Sequence, residues 1–154
     1  MLNARRAWED LRLAASMLED EVDPNRFRVL WVACITLVRA IGHILTKNDG
    51  PEAKRVANDL YNKWKNPQTK EIIFTDFINK DRNLLLKEYS FNYDDDGLFL
   101  VMDDLVVSEV DGDLYKPVAD GEYAGQDCRD VLCDAIAWWD EQLSIIEKEI
   151  QIAS

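Results

Sequence analysis

The stretch 26–47 constrains this chain more than any other. Read as a helix, it places Phe27, Leu30, Trp31, Cys34, Ile35, Val38, Ile41, Ile44 and Leu45 on nearly every face, leaving no wholly polar side for water. Such a segment is stable only when other helices surround it, so the rest of the chain must supply them. Its longest apolar run, 29–38, ends at Arg39 and is much shorter than the roughly 20 residues a membrane-spanning helix needs. The pattern therefore predicts the central helix of a bundle.

The flanking sequence predicts the surrounding helices. Asn3 is placed to cap a first helix over about 3–21, with Trp8, Leu11, Ala15 and Leu18 as its buried stripe. Asp23-Pro24 closes that helix and opens the central one. Asn48-Asp49-Gly50-Pro51 joins a glycine stop to a proline start and predicts a third helix over Pro51–Lys65. Asn66-Pro67 repeats the device ahead of a fourth over about 68–89, with Ile72 or Ile73, Phe74, Phe77, Ile78, Leu85 and Leu86 turned inward. Between 90 and 126 the helical period fails. Val-, Leu- and Phe-rich runs at Leu98–Met102, Leu105–Val110 and 114–118 read as strands, with a hairpin turn at Asp111-Gly112. A last helix covers about 127–150, with Val131, Ala135, Trp138, Leu143 or Ile146, and Ile150 on its apolar side. The expected fold is mostly α: an antiparallel bundle of about five helices, with a small β-insert at about 92–118, forming a single domain over 1–154.

Composition limits the function classes. With 154 residues, 47% of them apolar, one core is expected without disulfide or metal staples. Thirty acidic against eighteen basic side chains give a net charge of −12, which repels nucleic acid and anionic membranes on average, although 25–28 and 79–87 are locally basic. Cys34, Cys128 and Cys133 form no C-x-x-C pair, and Trp8-Glu9-Asp10 interrupts any signal-peptide core after Arg5 and Arg6. A cytoplasmic protein without cofactor or membrane association is the expectation.

One run on the fourth helix carries chemistry: Phe77-Ile78-Asn79-Lys80-Asp81-Arg82-Asn83-Leu84-Leu85-Leu86-Lys87-Glu88-Tyr89. It resembles the signature helix of the HEPN superfamily, small and usually dimeric α-bundles. Many are metal-independent ribonucleases of prokaryotic toxin–antitoxin and phage-defence systems. The superfamily's motif is Arg, then a polar residue, often Asn, then a His after four to six intervening residues. Arg82 and Asn83 match it, and Lys87 occupies the His position. The departure matters chemically, because internal attack by a 2′-hydroxyl needs a base near neutrality and a cation for the phosphorane. Lysine, with an ordinary pKa of about 10.4, is a poor base unless strongly desolvated. Arg82 can still hold a phosphate, with Lys87 as a point charge. The resemblance thus implies a member without nuclease activity that acts by association, as a homodimer.

Other constellations stand beside it. Arg39 and His43 lie four apart on the central helix and share a face, so His43, the only histidine, is a candidate base in a polar cleft. A buried Arg39 calls for acidic partners. Asn92, Asp94, Asp96 and Asp103, with Gly97, fit the first, third, fifth, twelfth and sixth positions of a calcium loop. Asn92 and Asp103 stand where that loop has Asp and Glu. The acids Asp104, Glu109, Asp111, Asp113, Asp120 and Glu122 read as a solvated face. Trp138 and Trp139 diverge by about 100° on a helix, so one is a candidate anchor on a partner surface. The functional readings are a non-catalytic associating protein, a ribonuclease using Arg82 with Lys87 or His43, and an acidic adaptor or immunity-type protein for a basic partner.

Overall fold

A computed structural model describes residues 1–94, 98–102, 105–110 and 115–153. They contain five α-helices: α1 (Asn3–Glu19), α2 (Pro24–Lys47), α3 (Pro51–Lys65), α4 (Asn79–Glu88) and α5 (Cys128–Ala153). A π-helical turn, Ile73–Ile78, leads directly into α4. The chain is an all-α bundle, with α2 touching each of the other helices and the π-turn. By length and mean hydropathy alone α2 is able to cross a membrane. In the bundle its Phe27, Trp31, Cys34, Ile35, Val38, Ile41 and Leu45 are buried.

The helix ends follow the local chemistry in most places. The Asp23 carboxylate accepts from the backbone N–H groups of Asn25 and Arg26, both at 2.9 Å, and so caps α2 ahead of its Pro24. Gly50 sits at φ +94°, a conformation open to glycine at little cost, and Pro51 starts α3. Asn3, however, does not cap α1. It is the first helical residue, and the orphan N–H groups of Asn3 and Ala4 donate to the Asp49 carboxylate at 2.7 and 2.9 Å. The cap arrives from the α2–α3 connection. The first helix also stops at Glu19 rather than 21, because Glu21 is used in the link, its carboxylate accepting from Asp23 N–H at 3.1 Å.

The fourth helix is not one continuous element over 68–89. Residues 66–70 form a turn in which the Asn66 side chain accepts from Gln68 N–H at 2.9 Å and the Thr69 hydroxyl donates to the Lys63 carbonyl at 2.5 Å. The wider π-turn then brings Phe74, Phe77 and Ile78 into the core together, while Ile72 remains 44% exposed. Leu86, expected inside, is 63% exposed, whereas Leu85 is buried.

The hairpin expected about Asp111-Gly112 is not supported. The backbone ladder pairs β1 (Leu98–Met102) with β2 (Leu105–Val110), Leu98 opposite Val110 and Met102 opposite Leu105. The proposed turn and most of the third strand lie outside the described residues. The described chain resumes with the isolated bridges Tyr93 to Val118 and Pro117 to Asp127, and Val118 joins the helical core.

Two seams bind the bundle. Along α1 and α5, Trp8 donates its indole N–H to the Ile136 carbonyl at 2.9 Å, with Arg5 and Arg12 flanking its ring. Arg5 also pairs with Asp140 at 2.6 Å and with Glu147. Between α2 and α5, the buried Trp139 indole donates to the Val38 carbonyl at 2.7 Å.

Replacing Asp49 with Ala should therefore lower stability by about 0.5–2 kcal/mol in denaturant titration, the usual range for losing a helix cap. Asn3→Ala should change it far less. Equal losses from both substitutions would mean that Asp49 does not serve as the cap.

Candidate functional site

The arginine of the Arg82-Asn83 pair lies in a groove between α2 and α4. Its walls are Thr36, Arg39, Ala40 and His43 from α2 and Arg82, Leu85 and Leu86 from α4, around a volume of about 340 Å³. The i, i+4 spacing of Arg39 and His43 points both at this space. Three of its seven lining residues carry cationic or imidazole heads, and none is acidic.

Among the described residues, no carboxylate neutralises either guanidinium. Arg82 makes a long hydrogen bond to its neighbour Asn83, at 3.4 Å. Arg39 is half-buried, and in place of the acidic partners that burial calls for it has an aromatic one. It donates to the Tyr61 hydroxyl at 3.0 Å and lies over the Tyr61 ring at 5.8 Å. The aromatic face satisfies part of the cation without cancelling its charge. Tyr61 is held in turn against Trp64 and Phe74.

Arg39 and His43 also form the wall of a second, smaller cleft, shared with Lys47, Lys54, Asn58 and Tyr61. Positive side chains thus run from α4 across α2 to α3. Lys47 continues the four-residue steps of Arg39 and His43, a repeat that the pair alone does not reveal. Lys87 is exposed and lines neither cleft. Asn83 is exposed beside Arg82. The groove therefore unites Arg82 with His43 and leaves Lys87 outside.

The remaining candidates fall elsewhere. Of the candidate anchors, Trp139 is fully buried, and half-buried Trp138 packs within 4.7 Å of Trp64 and 5.7 Å of Phe74, ring centre to ring centre. Gly42 lies beside Trp139 and Arg39, and a Cβ there would meet the ring at an ordinary 3.5 Å and the Arg39 guanidinium at a tighter 3.2 Å. Of the calcium-loop residues, Asp96 and Asp103 lie outside the described residues and Asp94 is exposed. Asn92 is buried and serves the fold, its amide pairing in both directions with the Asp120 backbone at 3.1 Å each way. Among the described residues no cluster of three or more metal-ligating side chains occurs.

Another cleft, between the end of α1 and the start of α5, is internally satisfied. Asp127 accepts from the Arg129 backbone at 2.9 Å and pairs with its side chain, which also donates to the Glu19 carbonyl at 2.8 Å.

Asp81, one residue before Arg82, points the other way, into the protein, at 4% exposure. It does not join the surface ion pairs that its charged neighbours in the sequence invite. Burial pushes its carboxyl up to about 7, against the pull of a hydrogen bond from Asn92 and of nearby Lys80, while Asp120 adds to the rise. Its Oδ1 has no hydrogen-bond partner among the described residues. No family model matches this sequence, and no curated protein or solved structure is significantly similar to it.

Asp81 gives a signed pH dependence. The folded chain retains a proton that the unfolded chain releases above about pH 4, so stability should fall as pH rises from about 4 towards 7 and level off beyond. Asp81→Asn should remove that slope and, at pH 8, raise stability by about 2–4 kcal/mol, since each tenfold difference in proton affinity between the folded and unfolded chain is worth roughly 1.4 kcal/mol. Denaturant titrations of both proteins at pH 5 and pH 8 measure it. Parallel slopes would refute the assignment.

Proposed function

We propose that this chain is a HEPN-like helical protein that acts by association and does not cleave RNA, working as a homodimer in the cytoplasm of a prokaryote. The observation that carries the reading is the position of Arg82. The motif's arginine reaches a groove of the bundle, while the residue in the motif's histidine position, Lys87, stays outside it. A cation that can grip an anionic group is present, and the base that the motif would supply is absent.

Self-association is supported by an uncovered apolar strip along α1 and the start of α2. Leu13, Met17 and Val29 are each more than half exposed, and Val22 is 50% exposed. Met17, Val29 and Leu30 share a shallow cleft there. Isologous pairing of such a strip buries it on both copies at once.

One observation favours a second reading, a metal-independent ribonuclease. His43 and Arg82 line the same groove, so the histidine absent from α4 has a counterpart on α2. In that mechanism the His43 imidazole takes the 2′-hydroxyl proton, the 2′-oxygen bonds to phosphorus as the bond to the 5′-oxygen breaks, the departing 5′-oxygen takes a proton from water, and Arg82 and Arg39 stabilise the phosphorane charge.

Two measurements test the proposal. Labelled single-stranded RNA incubated with the pure protein should remain intact, and identically so with Arg82→Ala; cleavage lost in Arg82→Ala and in His43→Ala would establish the nuclease instead. Light scattering should give a dimeric mass that shifts to monomer in a Met17→Lys, Val29→Glu variant. A monomeric parent at high concentration would remove the dimer from the proposal.

A further inference from the structure

We infer that the α2–α4 groove is a docking site for a short acidic-apolar peptide segment of a partner protein, its carboxylates received by Arg39 and Arg82 and its apolar side chains by Ala40, Leu85 and Leu86. This deepens the association reading, on which it rests, by naming what the groove accepts. Charge complementarity on an otherwise strongly acidic chain supports it. Arg39 and Arg82 line one cavity and no acid among the described residues lines it, so the groove is a local exception to a net charge of −12 that otherwise repels acidic segments. Arg39 is already oriented by the Tyr61 hydroxyl, so less side-chain freedom is lost when it forms a bidentate pair with a carboxylate.

The apolar wall selects a peptide over a nucleic acid. Leu86 stands 63% exposed at this groove, and covering it with an apolar side chain removes surface that a phosphodiester leaves wet. Among the described residues no Phe, Tyr or Trp ring lines the groove, and His43 is its one ring, although single strands are usually held on several stacked aromatics. The chain's average field opposes a long polyanion more than a segment with two carboxylates. A volume of about 340 Å³ lies at the small end of ligand clefts and suits a few side chains of a peptide.

The test uses fluorescence anisotropy with the full chain and three labelled probes. These are a twelve-residue peptide with Glu and Leu at helical spacing, the same peptide with Gln for Glu, and a single-stranded RNA of similar length. The Glu peptide should bind at least tenfold more tightly than the Gln peptide, and affinity should fall with added salt. Arg39→Ala with Arg82→Ala should weaken it at least tenfold, and Leu86→Ser severalfold, in proteins of unchanged circular dichroism. If the double variant does not fold, Arg82→Glu alone should reverse the preference towards a Lys-for-Glu peptide. Binding of RNA in preference to the Glu peptide overturns the inference. So does Glu-peptide binding indifferent to Arg39, Arg82 and Leu86, or no peptide binding by a folded protein. Loss of the peptide result alongside intact RNA and a dimeric mass would sink this inference alone, whereas Arg82-dependent RNA cleavage would sink the association reading with it.

Discussion

The hydrogen bond from the Trp139 indole to the Val38 carbonyl sets the depth at which α5 rests on α2, and much of the bundle's interior is arranged around that depth. It is made beside Gly42, one turn beyond Val38 on α2. Trp139 then meets Trp64, Trp64 meets Phe74 and Trp138, and Tyr61 closes the group from α3. Aromatic pairs add about 0.5–1.5 kcal/mol each beyond the area they bury, but their geometry matters as much as their energy. Rings fix angles. Through Tyr61 this cluster holds the Arg39 guanidinium, so one wall of the cationic groove is fixed by the aromatic packing of α3 and α5 against α2.

The helices were legible wherever a periodic stripe coincided with a local stop. Asp23-Pro24 and Gly50-Pro51 mark their boundaries because cap and dihedral chemistry act within a few residues. What the sequence did not disclose depends on distant chain. The use of Asp49 to cap α1 is invisible locally, and Asn3 is the natural local candidate. The π-turn at Ile73–Ile78 is hidden because its period differs little from that of an α-helix over six residues. The periodicity put Trp138 on the buried stripe of the last helix, whereas Trp139 is the deeper ring, because adjacent positions satisfy nearly the same pattern and packing decides between them. Of the candidate site, the Arg39 and His43 face was legible from spacing. That Arg82 opens onto the same groove while Lys87 does not required the packing of α4 on α2.

Charge on this molecule is sorted rather than evenly spread. Several cations are tied to carboxylates, as Arg5 is to Asp140 and Glu147 and Arg55 is to Glu52. Among the described residues, those of the α2–α4 groove are not. On α4 itself, consecutive residues take opposite roles: Asp81 turns inward and is driven towards neutrality, and Arg82 turns outward with its charge unopposed by any acid described beside it. Were Asp81 a solvated anion beside Arg82, the groove's attraction for an anion would be weakened at its source.

The carboxylate of Asp49 stands some 45 residues beyond the amides it holds. During synthesis α1 leaves the ribosome ahead of Asp49, so this cap cannot form until the segment joining α2 to α3 has emerged and folded back. The first turn of α1 is thus completed by chain made later than the helix itself.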